Sequence, residues 1–156
     1  MIRHPLIREC LAELAGTFIL VFLGVGVVHV AVLTGAQAGP WQVAAVWGMA
    51  IALAVYAASA VSGAHINPAM TIAFLAFRRF PMRKVPLYVG SQLAGAVLAA
   101  AMLYGLFGGV LGQFESSHGL IRGQQGSECP SSNLHGWSPG IVRGGYDAVD
   151  SMGHIG

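Results

Sequence analysis

Charge is scarce in this sequence. Eight of its 156 residues are Lys or Arg and six are Asp or Glu, 9% in all. A water-soluble domain carries about a quarter, so this chain is not composed for water. Six of the eight basic residues stand at the edges of apolar stretches, where orientation in a membrane accounts for them, so no nucleic-acid function follows. Cysteine is scarcer still: Cys10 and Cys129 stand alone, too few for a disulfide framework or a metal cluster. No Ser-His or paired-carboxylate arrangement is present, and His65 with Glu13 is the only candidate pair in the apolar part. The reading is therefore not an enzyme, with neither cofactor nor metal.

What the chain does have is long apolar runs. Residues 14–28, 43–61 and 85–114 carry no charge, and about 20 such residues cross a bilayer. Three transmembrane helices follow, over about 6–33, 41–62 and 85–110. Arg3, Arg8, Arg78, Arg79, Arg83 and Lys84 lie before the first span or between the second and third, while the 34–40 loop is uncharged. The positive-inside rule then puts the N-terminus in the cytoplasm. Arg3 and Arg8 before an apolar run loosely mimic a cleaved leader, but the run is too long and contains Glu13. Small residues such as Gly16, Gly24, Gly26, Gly48, Gly90 and Gly95 fit spans that pack closely on one another. The organisation expected is one membrane unit over 1–114 and an irregular Gly/Ser/Pro-rich tail over 115–156, placed outside.

Between the second and third spans stands VSGAHINPAMTIAFLAFRR. Asn67-Pro68 reads as a helix start, Asn as the cap and Pro at the first position. From there to Phe77 is about 15 Å of helix, half the hydrocarbon thickness. Both the preceding span and the arginines that follow belong on the cytoplasmic side, so this helix cannot cross. It dips to the midplane and returns. Extended backbone at that depth is tolerated only where it is buried in protein or lines water. The segment therefore predicts a polar passage, with carbonyls of Gly63, Ala64, His65 and Ile66 as acceptors and the Asn67 amide as donor. The electropositive start of the short helix would repel cations.

SGAHINPAMT resembles the first Asn-Pro-Ala signature of the aquaporin family. AELAGTFILVFLG, WGMAIALAVYAASAVSGAHINPAMTIAF and SQLAGAVLAA resemble it too, and FESSHGLIRG is similar to the glycerol-facilitator branch. The resemblance covers about 6–123, and none is seen beyond about Gln124. It implies that Asn67, with Pro68 and Ala69, is the pore signature and that 63–66 line the pore. His65 matches the loop histidine, read equally as a brace or a solute contact. Glu13 matches the glutamate that holds the re-entrant loop; a carboxylate snorkelling to the interface is the alternative. Trp47 matches a tryptophan at the outer constriction of glycerol-conducting members, or is simply interfacial like Trp41.

The family fold is an inverted repeat, and this sequence matches its first half, with no second Asn-Pro-Ala and no outer-constriction arginine. The expectation is an all-α, aquaporin-like half of three transmembrane helices and one re-entrant half-helix, its partner half missing. As a function the resemblance implies a passive channel for glycerol, small neutral polyols and water in the cell's inner membrane, here as a truncated half. The rival is a non-conducting membrane protein that only associates with full-length subunits. Implied partners are the bilayer, the missing half or a full-length homologue, and a homotetrameric assembly.

Overall fold

The computed structural model describes residues 5–36, 40–77 and 79–117. Arg3, Arg78, Cys129 and the tail beyond Ser117 lie outside them. Within the described residues the chain runs α1 (Pro5–Thr34), α2 (Pro40–Ser62), α3 (Pro68–Ala76), a single 3-10 turn (Met82–Lys84) and α4 (Val85–Ser117). Proline opens α1, α2 and α3, where its missing N–H costs nothing. α1, α2 and α4 are each long and apolar enough to cross a membrane. At 1.5 Å per residue, α3 spans only about 14 Å, from nine residues.

α1 is the central helix, packed on α2 along one side and on α4 along another, while α3 rests on α4. Small residues set these distances. On the α1–α2 seam Gly16 faces Ala54 and Ala58, and both alanines are fully buried. On the α1–α4 seam Gly95 lies directly against the backbone of Leu14 and Phe18. The outward faces stay apolar, with Met49, Leu53 and Tyr56 on α2 and Val97, Tyr104 and Leu106 on α4 exposed. In a bilayer such faces meet lipid or neighbouring helices at no hydrophobic cost.

Two boundaries differ from the sequence expectation. Pro40 belongs to α2 rather than to the loop before it. α4 continues to Ser117 instead of stopping near Val110, because nothing breaks it there: Leu111 is buried and Ser116 returns its hydroxyl to the Gly112 carbonyl at 2.8 Å. His29, in the last third of α1, is buried. Its Nδ1 lies 2.9 Å from the Val25 carbonyl oxygen, and its ring centre is 5.3 Å from that of Phe107.

Candidate functional site

Everything at the site is organised by one carboxylate. Glu13 is fully buried, eight residues and so about 12 Å along α1 from Pro5. Its Oε1 accepts from the Ser62 hydroxyl at 2.6 Å and from the His65 N–H at 2.9 Å. Oε2 accepts from the Ile66 N–H at 2.6 Å and from Gln92 Nε2 at 2.7 Å. A buried charge with four donors is satisfied. The Ser62 hydroxyl in turn accepts from the Ala64 N–H at 3.2 Å. Three consecutive N–H groups, of residues 64, 65 and 66, are thus turned toward Ser62 and Glu13.

The consequence follows from peptide geometry. In a trans peptide the carbonyl points opposite to the N–H it shares a plane with, and there are no cis bonds among the described residues. Carbonyls of Gly63, Ala64 and His65 must therefore point away from Glu13, all to one side. Ordinary extended backbone would alternate them. Left-handed conformations break that alternation, with φ of 86° at Gly63, 52° at Ala64 and 42° at Ile66. For Ala and above all for β-branched Ile this costs about 1–3 kcal/mol per residue. The bonds to Glu13 hold the segment there.

Ile66 does not continue the ladder. Its carbonyl oxygen takes a hydrogen bond from the Thr17 hydroxyl at 3.3 Å, and its side chain fills a notch that exists because residue 16 is glycine. A Cβ there would come within 2.6 Å of the Ile66 side chain. Asn67 then caps α3 from extended backbone. Its Oδ1 accepts from the Ala69 N–H at 2.8 Å, which directs the amide's NH2 away from the helix, and the residue is exposed. Pro68 supplies the first helical position. The polar strip is three carbonyls and one amide donor.

His65 is a brace. It is buried among the rings of Phe74, Phe80 and Tyr88, with centroids 4.8, 4.7 and 5.2 Å away. Its Nδ1 lies 3.1 Å from the Thr71 hydroxyl oxygen, to which Gln92 also donates at 3.1 Å. Near the start of α4, Lys84 pairs with Glu9 at 2.6 Å, and the Tyr88 hydroxyl donates to Glu9 at 3.0 Å and to the Ser62 carbonyl at 3.2 Å. These contacts give the depth of the dip. Ile66 meets α1 at Thr17, whereas the return turn meets it at Glu9, eight residues or about 12 Å nearer its start. The short helix enters and comes back toward the same end.

Trp47 sits elsewhere on the α1–α2 seam. Its indole lies over Gly24, eight residues and about 12 Å beyond Gly16 along α1, and it is half-buried. It does not touch the 63–67 segment; α1 is the element both share.

Three membrane-length helices, a half-length helix capped by Asn-Pro and a loop held by a buried glutamate now stand together. A family model, major intrinsic protein, matches residues 1–137. The chain belongs to the major intrinsic protein family. It is 45% identical over 115 residues to the glycerol uptake facilitator protein of Escherichia coli K12, covering 74% of this chain and 41% of that one. To the glycerol uptake facilitator protein of Haemophilus influenzae it is 42% identical over 143 residues, covering 91% of this chain and 54% of the relative. Its fold is similar to the X-ray structure of the aquaglyceroporin from Plasmodium falciparum, with a TM-score of 0.62 and 32% identity over 75% of this chain and 46% of that chain.

The chain thus spans about half the length of the family members it matches. Both the family model and the Haemophilus match run past Gln124, so the likeness to the family extends further than the motifs of the sequence indicate. It is a multi-pass, all-α membrane protein with the architecture of an aquaporin half. Several residues of the site went unnoticed in the sequence: Ser62, Thr71, Gln92, Tyr88 and the Glu9–Lys84 pair. A signal existed for Gln92, an amide inside a charge-free span, because a polar group there needs a partner.

Proposed function

We propose that the chain forms one wall of a passive channel for glycerol, small neutral polyols and water. One observation carries the reading: three successive N–H groups face Ser62 and Glu13, leaving three carbonyls in a row and the Asn67 amide on the opposite side. A neutral solute that both donates and accepts can exchange its water hydrogen bonds for these. A cation meets the electropositive start of α3 at the same level, and a purely apolar molecule satisfies none of the groups. Glycerol as the solute is supported by the relatives' names and by the indole of Trp47, which offers a carbon backbone an apolar surface.

The opposite wall must come from other helices, since lipid cannot solvate the exposed carbonyls. A second repeat or a full-length homologue would supply it, and a homotetramer is the assembly in keeping with the family. The inner membrane with the N-terminus in the cytoplasm is the orientation we favour. The Lys84–Glu9 pair supports it, bringing the basic turn to the N-terminal end of α1, on the side the positive-inside rule assigns to the cytoplasm. One specific feature favours the rival, association without conduction: Ala69, Met70 and Ile72 of α3, and Phe77 just after it, are exposed, as a surface awaiting another subunit would be.

Osmotic swelling of proteoliposomes in a glycerol gradient separates the two. Vesicles holding the chain, alone or with a second-repeat polypeptide, are expected to take up glycerol faster than empty ones. Rates equal to empty vesicles in both preparations, with the protein inserted, leave association only.

A further inference from the structure

Trp47 does not hold its place by its own contacts alone; a residue on another helix makes room for it. A Cβ built on Gly24 of α1 would stand 2.7 Å from Cη2, 2.7 Å from Cζ3 and 2.8 Å from Cε3 of the Trp47 indole. All three atoms belong to the six-membered ring. Non-bonded carbons settle at about 3.5–4.0 Å, so any side chain at position 24 must push the ring outward by about 1 Å. Gly24 itself is buried and in ordinary helical conformation, so no backbone requirement explains a glycine there. The space for the indole does.

The neighbouring positions sharpen the point. Along the same face of α2, Ala50, Ala54 and Ala58 are fully buried, and at Ala54 and Ala58 the two helices approach with small residues on both sides. Trp47 is the one large residue continuing that alanine row, one turn beyond Ala50. Opposite it the closeness of the helices is kept by taking the Cβ away from α1. Gly48, next in sequence, has nothing within 4 Å of its would-be Cβ. Gly16 is the other glycine of this seam that a Cβ would crowd, and there the first atom met is the Ile66 side chain; at Gly24 the three nearest atoms are all of the indole, so the requirement for glycine at position 24 is set by the ring.

We infer that Gly24 is a positioning residue for solute selection: it seats the Trp47 indole against α1, about 1 Å further from the passage than a side chain at position 24 would allow. The inference rests on the channel reading above, because an indole has a solute to select only if one passes. It assigns to α1 a part in selectivity that the polar strip, formed by 63–67, cannot supply. The strip offers hydrogen bonds to water and polyols alike, whereas an indole displaced by about 1 Å narrows the way for a three-carbon solute more than for water.

The test uses the full chain with Trp41 and Trp137 replaced by Phe, so that Trp47 alone fluoresces. Gly24→Ala is expected to raise acrylamide quenching of Trp47 at least twofold and to lower the glycerol-to-water permeability ratio of the vesicles about fivefold. Gly24→Ala combined with Trp47→Phe, which removes the clashing ring atoms, is expected to restore glycerol permeability to that of Trp47→Phe alone. Gly48→Ala, one residue from the indole, should change neither readout. Unchanged quenching in Gly24→Ala overturns the seat, and changed quenching with an unchanged permeability ratio overturns its role in selection. If the parent vesicles pass no glycerol either alone or with a second-repeat polypeptide, the channel reading and the selective role fall together, while quenching still decides the seat. A Gly24→Ala protein that fails to fold, when the double variant folds normally, would itself assign the clash to the indole.

Discussion

Glu13→Ala is expected to unfold the re-entrant segment and to abolish any glycerol uptake. The substitution strands four donors at once: the Ser62 hydroxyl, the N–H groups of His65 and Ile66, and the Gln92 amide. Each buried donor left unmade costs about 1–3 kcal/mol, and Glu13 is fully buried. The left-handed conformations at Ala64 and Ile66 lose their restraint in the same step, so their strain is released by relaxing the loop. Even after partial repacking a loss of at least about 3 kcal/mol remains, which lowers Tm in detergent by roughly 10 °C for a chain of this size. Glu13→Gln is expected to fall between the two, because its NH2 group faces donors where oxygen is required. A Glu13→Ala protein with wild-type Tm and wild-type uptake would mean that the loop holds itself.

Gly95→Ala carries the second large effect. A Cβ at this position overlaps the carbonyl of Leu14 and comes within 3.2 Å of the Phe18 nitrogen. These are backbone atoms of a helix and cannot rotate aside, so α1 and α4 must separate. Spans in lipid gain little from hydrophobic force and are held by close packing; separation forfeits those contacts along the seam and pulls Gln92, one turn earlier on α4, away from Glu13. Overpacking of this kind costs about 1–3 kcal/mol. Gly90→Ala makes the control, since its Cβ would meet nothing within 4 Å. Thermal unfolding in detergent should show Gly95→Ala several degrees below the parent and Gly90→Ala at or slightly above it. Equal Tm values for both would show that the seam is looser than its geometry.

These two expectations mark where the sequence was legible and where it was not. The three spans and the short helix could be read off because lipid imposes a simple rule, an apolar length matched to a thickness, and because Asn67-Pro68 is a local signal needing no knowledge of the rest. Glu13 could be singled out as an ionisable group in an apolar run, but its four partners could not. They lie 49 to 79 residues away; Ser62 and Thr71 are unremarkable until the helices bring them together, and Gln92, though an amide inside a charge-free span, does not say which group it meets. Gly16, Gly24 and Gly95 looked alike as small residues suited to packing. Only the fold separates them, one seating Ile66, one seating an indole and one admitting a helix backbone. The extent of the acceptor strip was likewise beyond reach, because the turning of the Ile66 carbonyl to Thr17 depends on a contact across 49 residues.

The central claim is that the 63–67 segment has a wet side and a protein side. Cysteine accessibility tests it most directly, in a background with Cys10 and Cys129 replaced by Ser. Asn67→Cys, on the exposed side of the cap, is expected to react with a water-soluble methanethiosulfonate in assembled vesicles and to be protected by glycerol. Thr71→Cys, fully buried one turn further along the same short helix, is expected to stay unmodified. If position 67 never reacts from either side of the membrane while position 71 does, the segment presents the opposite face to water and the account is wrong.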